Sequence, residues 1–444
     1  MLIFLKIAIL VFAFALVAPL FAILIRRYSA VRDWCFVLMI LSTSTYIGMN
    51  LLPMPLWKGT ARGFAIYAVD FLSFSLLCGL LFIPGFKFNW RPPGLNFYLL
   101  YCGLSFISFF SAAYRVQCGF EILKMFWMYI FFLAAYNYII LKRSFWPLVH
   151  ALVIVVFIMF AVAVFQRYAL HIYQIRSTLP HQNSLSLYGI MCVCILLGVL
   201  FNEKTTSGQS IMLFIAFLCA VLLVYFSLSR AGLVLMFFGV AVTTALTFIL
   251  NGFAVKRGVL LTIFLIGASI MLLMTAGRIR ERFTTASDAS GQTRINLAKA
   301  AARMANDYTL GVGLNNFSVY SSSKYDYARE QYEEGISYEE KSDENGPIVE
   351  TIYLLVAAEC GWITLGVLLL WFGSYWWWSL SLNIAFKHQP CFGIMAGICG
   401  GLSANYIQST LEWVLKQYSN FYLLMLVFAV IAVLRQHQRD KKLT

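Results

Sequence analysis

The sequence predicts an all-α, polytopic membrane protein with about 12–13 transmembrane helices and one large extracytoplasmic loop. Three observations carry that expectation. Only 12% of the 444 residues are charged, where a soluble domain carries about a quarter. Hydrophobic residues make up 61%, and the mean hydropathy is +0.79. The apolar residues also fall in blocks of about 20, the length at which a helix crosses a bilayer. Together these exclude a disordered chain, a disulfide scaffold and a soluble enzyme.

Taken in order, the apolar runs place spans near 2–25, 34–52, 64–84, 95–113, 121–141, 145–165, 184–202, 211–229, 231–250, 259–276, 349–375, 391–409 and 419–434. The first run lacks a basic leader and is long for a signal peptide, so it reads as a retained helix. Lys and Arg mark cytoplasmic connections. Alternate connections hold Arg26, Arg27 and Arg32, then Lys87 and Arg91, Lys142 and Arg143, Lys204, Lys256 and Arg257, Lys387, and a tail with Arg435, Arg439, Lys441 and Lys442. This places the C-terminus inside and the N-terminus outside. The Tyr375–Trp378 cluster then sits at the inner interface, where aromatic belts form.

Three regions follow: N-terminal helices over 1–276, a polar outer loop over 277–347, and C-terminal helices with a basic tail over 348–444. The loop holds 9 Lys/Arg and 11 Asp/Glu, so it is mixed in sign. Gln292 to Met304 has apolar residues at helical spacing and predicts a short amphipathic helix of the kind that lies at an interface. Gly311-Val-Gly313 predicts a turn. Tyr325 to Asn345, acidic and rich in tyrosine, reads as a mobile flap.

A formal charge of +14 invites a nucleic-acid reading, but the bases are dispersed between apolar blocks and form no basic domain. No nucleic-acid partner is expected. Most of the ten cysteines lie inside apolar blocks, where they behave as small apolar side chains. No metal-ligand spacing occurs.

Arginine should be scarce on the outer face, yet connections assigned to it contain Arg62, Arg115, Arg167, Arg176, Arg230, Arg278, Arg280, Arg282, Arg294, Arg303 and Arg329. Arg303 and Arg329 read as solvated charges. Arg230 occupies the tight turn Ser227-Leu-Ser-Arg-Ala-Gly232, and two readings stand for it. It snorkels to water, or it faces a cavity and holds an anion through its forked donors. Arg176 and His181 precede a span, and a lone boundary histidine is usually structural. Asp70 lies within the third span, either paired with an arginine or part of a proton path.

Several of these features together resemble the bacterial O-antigen ligase and Wzy-type O-antigen polymerase superfamily. They are Arg176-x-x-x-x-His181-x-Asn183, the Ser229-Arg-Ala-Gly232 turn, the loop arginine and helix with Gly311, Gly313 and an offset Phe317, and the span entry Val349 to Gly361. The match runs from about 170 to 375. Trp57-Lys-Gly-x-x-Arg-Gly63 and Asp70 are similar to members from exopolysaccharide systems. The resemblance implies a metal-independent, cofactor-free glycosyltransferase with a GT-C-like fold in the bacterial inner membrane, its active site facing the periplasm. Its donor would be a glycan on an undecaprenyl-diphosphate carrier, and its acceptor another glycan or lipid A-core. By position Arg230 and Arg294 match the arginines that hold the diphosphate. Arg176, His181, Asn183, Arg280, Tyr353 and Asp70 match or adjoin the substrate-binding positions.

One departure stands out. Family members commonly enter the span after the loop with His-Asn-x-Tyr-Leu, the histidine being catalytic. Here Glu350-Thr-Ile-Tyr353-Leu occupies that place. Glu350 is the candidate base for the acceptor hydroxyl, against the alternative of a boundary carboxylate favoured by a helix N-terminus. Glu359, nine residues on and about 13 Å deeper, reads as a bundle-locking residue. Two rival classes remain: a lipid-linked glycan flippase or transporter, and a non-catalytic assembly subunit. The chain shows no repeated halves of the kind transporters often have.

Overall fold

In the computed structural model, residues 2–267, 269, 288–330 and 345–443 are described. Arg278, Arg280, Arg282, the end of the 259–276 span and residues 331–344 of the expected flap lie outside them. Helix α1 (Leu2–Phe12) runs through a π-helical turn, Ala13–Val17, into α2 (Ala18–Arg27). Pro19 explains the turn, because it lacks an N–H and its ring crowds the carbonyl of Ala15.

The next helix, α3 (Ser29–Thr43), stops well short of the expected 34–52 span. Gly48–Asn50 (β1) instead pairs antiparallel with Ala65–Tyr67 (β2), Gly48 opposite Tyr67 and Asn50 opposite Ala65. Helix α4 (Ala68–Leu81) starts only after this ribbon, so the expected 64–84 span is also shorter. Apolar content alone marks membrane-compatible residues but not helix ends. Here Asp70 sets the end: its carboxylate accepts the Tyr67 backbone N–H at 2.7 Å, one arm of a capping box. The 15 residues of α3 and 14 of α4 rise about 22 Å and 21 Å.

The remaining helices are α5 (Leu95–Ile107), α6 (Arg115–Lys142), α7 (Trp146–Val164), α8 (Gln182–Asn202), α9 (Ser207–Phe226) and α10 (Arg230–Asn251). After the outer loop's α11 (Asp288–Asp307) come α12 (Ile352–Ala385), α13 (Phe392–Gln408) and α14 (Tyr418–Leu443). Among the described residues, eight helices are long and apolar enough to cross a membrane. The chain is a multi-pass, all-α membrane protein.

Helix α8 forms the centre and is buried throughout its apolar window. Small residues make its close packing possible: a Cβ on Gly198 would meet the Gly393 carbonyl at 2.1 Å, and one on Gly397 the Cys194 carbonyl at 2.4 Å. Between apolar helices in lipid, such approach replaces the missing hydrophobic drive.

Alternate connections gather at opposite ends. At one end Lys142 pairs with Asp33, Asn137 bonds Asn89, and the His388 N–H donates to Asn251. At the other end the 44–67, 111–114, 170–181, 227–229 and 409–417 connections meet the large loop. That loop folds. Its α11 is longer than the expected 292–304 helix, and its Leu297, Ala300, Ala301 and Met304 are buried with Trp57, Val312, Phe317, Leu355 and Ala358. The apolar face therefore packs on protein and does not lie on lipid.

Candidate functional site

The loop is anchored by a break in α12. Gly361 has φ +85° and ψ 163°, outside the helical region, and so frees carbonyls in the preceding turn. Gly311-Val312-Gly313 docks there, with the Val312 N–H donating to the Ala358 carbonyl at 2.9 Å and the Gly313 N–H to the Glu359 carbonyl at 3.0 Å. A Cβ on Gly311 would fall 2.3 Å from the Glu359 carbonyl. The expected turn is thus a plug for a broken helix. Beyond it, Asn315 Nδ2 donates to the carbonyls of Ala61 and Gln117, both at 2.9 Å. Asn316 accepts from the Tyr114 N–H at 2.8 Å.

Beneath this plug lie four buried charges. Lys124 pairs with Glu121 at 2.5 Å, and Lys416 reaches Glu121 at 3.5 Å and Glu359 at 3.4 Å. Thr60 donates to Glu121 at 2.9 Å, and Lys124 to the Lys416 carbonyl at 2.9 Å. The four sum to zero charge and join α6, α12 and the 409–417 connection. Glu359 is in this lock, remote from Glu350.

The same 409–417 connection also reaches a hollow of about 500 Å³ at the loop end. Its lining includes Arg230, Arg294, Asn183, Gln174, Gln182 and Glu412. Arg230 opens α10, whose N-cap Ser229 accepts the Gly232 N–H at 3.3 Å, while Leu228 before it takes the left-handed backbone region at φ +49°. This strained corner turns α10 sharply back from α9 and presents Arg230 at the rim. Arg294 sits two turns into α11, which the loop core fixes. Its Nε donates to Glu350, and its Nη2 lies 3.4 Å from Glu412 Oε1. Asn183 Nδ2 donates to the same Glu412 oxygen. Burial, then the neighbouring Glu350 charge, push the Glu412 carboxyl up to about 7, against the pull of Asn183 and Arg294.

The structure brings Arg230, Arg294 and Asn183 to one hollow, with Glu350 bonded to Arg294 but absent from the lining. The other expected residues stand apart from the lining. His181 caps α8, its Nδ1 accepting the Asn183 N–H at 3.2 Å, and Arg176 is exposed. Tyr353 donates to the Tyr406 carbonyl at 2.9 Å, tying α12 to α13. Asp70 is buried, capping α4 and accepting from Tyr422. Arg280 lies outside the described residues. Arg303, expected to be a solvated charge, forks onto Glu330 at 2.7 and 2.6 Å and holds the Glu330 carboxyl down at about 2.

Glu412 is the residue that sequence reading passed over. Its signal was faint but present: a carboxylate four residues before a lysine, in a short outer connection between two apolar blocks.

No curated protein matches the chain. Residues 215–370, from α9 through Arg230, the folded loop and Glu350 to the broken α12, match the family model described as O-antigen ligase. Over that stretch, about a third of the chain, the protein is similar to the O-antigen ligase family.

Proposed function

We propose that this protein is a membrane glycosyltransferase that moves a glycan from an undecaprenyl-diphosphate carrier to an acceptor hydroxyl, on the periplasmic face of the bacterial inner membrane. The acceptor is a polysaccharide repeat unit or lipid A-core. One observation carries the reading: Arg230 and Arg294, far apart in sequence, line one hollow at the end of the bundle opposite the basic connections. As the acceptor oxygen attacks the anomeric carbon, the departing diphosphate gathers negative charge. Fixed guanidinium groups aimed at that charge stabilise it more in the transition state than in the ground state. The mouth of a membrane bundle suits a donor whose lipid tail stays in the bilayer while its headgroup reaches the hollow.

The test is replacement of each arginine. Arg230→Ala and Arg294→Ala are expected to abolish surface glycan, each lowering transfer by about 10²–10³-fold, while the protein remains inserted. Unchanged glycan in both variants defeats the reading. The lipid-linked product that accumulates in their place separates the two reaction types: single repeats for a polymerase, finished chains for a ligase.

A further inference from the structure

Resting on that reading, we infer that Glu412, and not Glu350, takes the proton from the acceptor hydroxyl, while Glu350 positions Arg294. The two carboxylates share one guanidinium but differ in what else they face. Glu350 bonds Arg294 Nε and is absent from the lining of the hollow, with its side chain 36% exposed. Glu412 lines the hollow beside Arg230 and is 9% exposed at its side chain. Both of its bonds, from Asn183 and Arg294, fall on Oε1. Oε2 receives no hydrogen bond from any described residue. One oxygen is held, which leaves the other as the acceptor that this lining residue can offer a substrate.

In the step this implies, the acceptor O–H proton passes to Glu412 Oε2 as the acceptor oxygen bonds the anomeric carbon. The bond from that carbon to the carrier oxygen breaks, and its electron pair leaves with the diphosphate, facing Arg230 and Arg294. Glu412 then releases its proton to water. A base works best with its pKa near the working pH, and burial together with the Glu350 charge brings Glu412 there. The groups that bear on it are Glu350 before α12, Asn183 from α8 and Arg294 from α11, with Arg230 from α10 on the same lining. His181, two residues before Asn183, and Lys416, four residues on, are the other titratable groups near it in the chain.

The test mixes purified protein, in detergent, with membranes of cells that lack the native copy and hold both donor and acceptor. Release of carrier is followed from pH 5.5 to 8.5, and thermal protection by undecaprenyl diphosphate is measured in parallel. Wild type is expected to gain activity as pH rises through about 7. Glu412→Gln keeps the shape and the Asn183 contact but accepts no proton. It should transfer about 10²–10⁴-fold more slowly and lose that rise, with protection by undecaprenyl diphosphate intact. His181→Gln should keep the rise where it is, and Glu350→Gln should keep a rise moved to lower pH, because the Glu350 charge no longer pushes the Glu412 carboxyl up.

Near-wild-type transfer by Glu412→Gln, a rise that persists in it, or a rise lost in His181→Gln each overturns the assignment. So does loss of protection in Glu412→Gln, which would make the residue a prop for Arg294. Should Glu412→Gln fail to fold, Glu412→Asp decides: lowered kcat at constant donor KM supports the base role, and raised KM at constant kcat defeats it. A wild-type protein that releases no carrier fails the proposed function itself, a result separate from all of these.

Discussion

Two clusters at the loop end contain the same charges and do different things. Glu121, Lys124, Glu359 and Lys416 form one; Arg230, Arg294, Glu350 and Glu412 form the other. Each has two cations and two carboxylates, and the 409–417 connection contributes to both. The lysine cluster is sealed, its side chains between 0% and 4% exposed. In the arginine cluster Arg294 is 38% exposed and the hollow opens beside it. A sealed neutral set satisfies itself and fixes geometry, whereas an open set can be reached by a ligand. Lysine suits the first role as a compact point charge. Arginine suits the second, because its planar fork spans two oxygens and stays protonated.

The comparison is broken most severely by Lys416→Met. Removing that ammonium leaves Glu121 its closer partner Lys124 but strands Glu359 in the interior, and breaking a buried pair costs about 3–5 kcal/mol. Chemical denaturation of the detergent-purified protein should show the loss, and an unchanged midpoint would make the lock ornamental. Next comes Gly361→Ala. The position takes a backbone region reserved for glycine, worth about 1–3 kcal/mol, and a Cβ there would press on the Thr309 carbonyl at 2.2 Å. Loop undocking should follow, read as faster proteolysis within 288–330. The smallest effect is expected for Arg303→Ala. That pair is 42% and 33% exposed, and solvent screening holds such bridges to about 0–1 kcal/mol. Because Arg303 lowers the Glu330 carboxyl from its ordinary 4.5 to about 2, what stability the pair gives is present above pH 4.5 and fades as pH falls toward 2. A melting curve that shows no such fading in the wild type, or the same fading in the variant, would remove the pair from the account.

The fold was legible wherever a single physical variable decided it. Hydropathy located helices such as α8 and α10 because lipid demands about 20 apolar residues with all backbone groups satisfied internally. Alternation of basic connections sorted the loops into two ends, and the contacts between Asn315 and Ala61, or Asn183 and Glu412, join connections sorted to the same end. Hydropathy misjudged Thr43 to Tyr67, because a short ribbon and a membrane helix draw on similar residues. In the site, Arg230 and Arg294 were visible as arginines on a face that should lack them. Asp70 and His181 were visible as well, but helix capping was an equally good use for each, and composition does not separate capping from chemistry.

By itself, then, the sequence determined the class, the order of helices and the concentration of guanidinium groups at one end. Each of these follows from local composition against a fixed bilayer. Tertiary structure alone decided that Gly311 would plug the break at Gly361, that Lys416 would be sealed, and that Glu412 would lie beside Arg294, 118 positions away in the chain. Long-range pairing depends on which surfaces meet after the helices pack, and no local pattern encodes that.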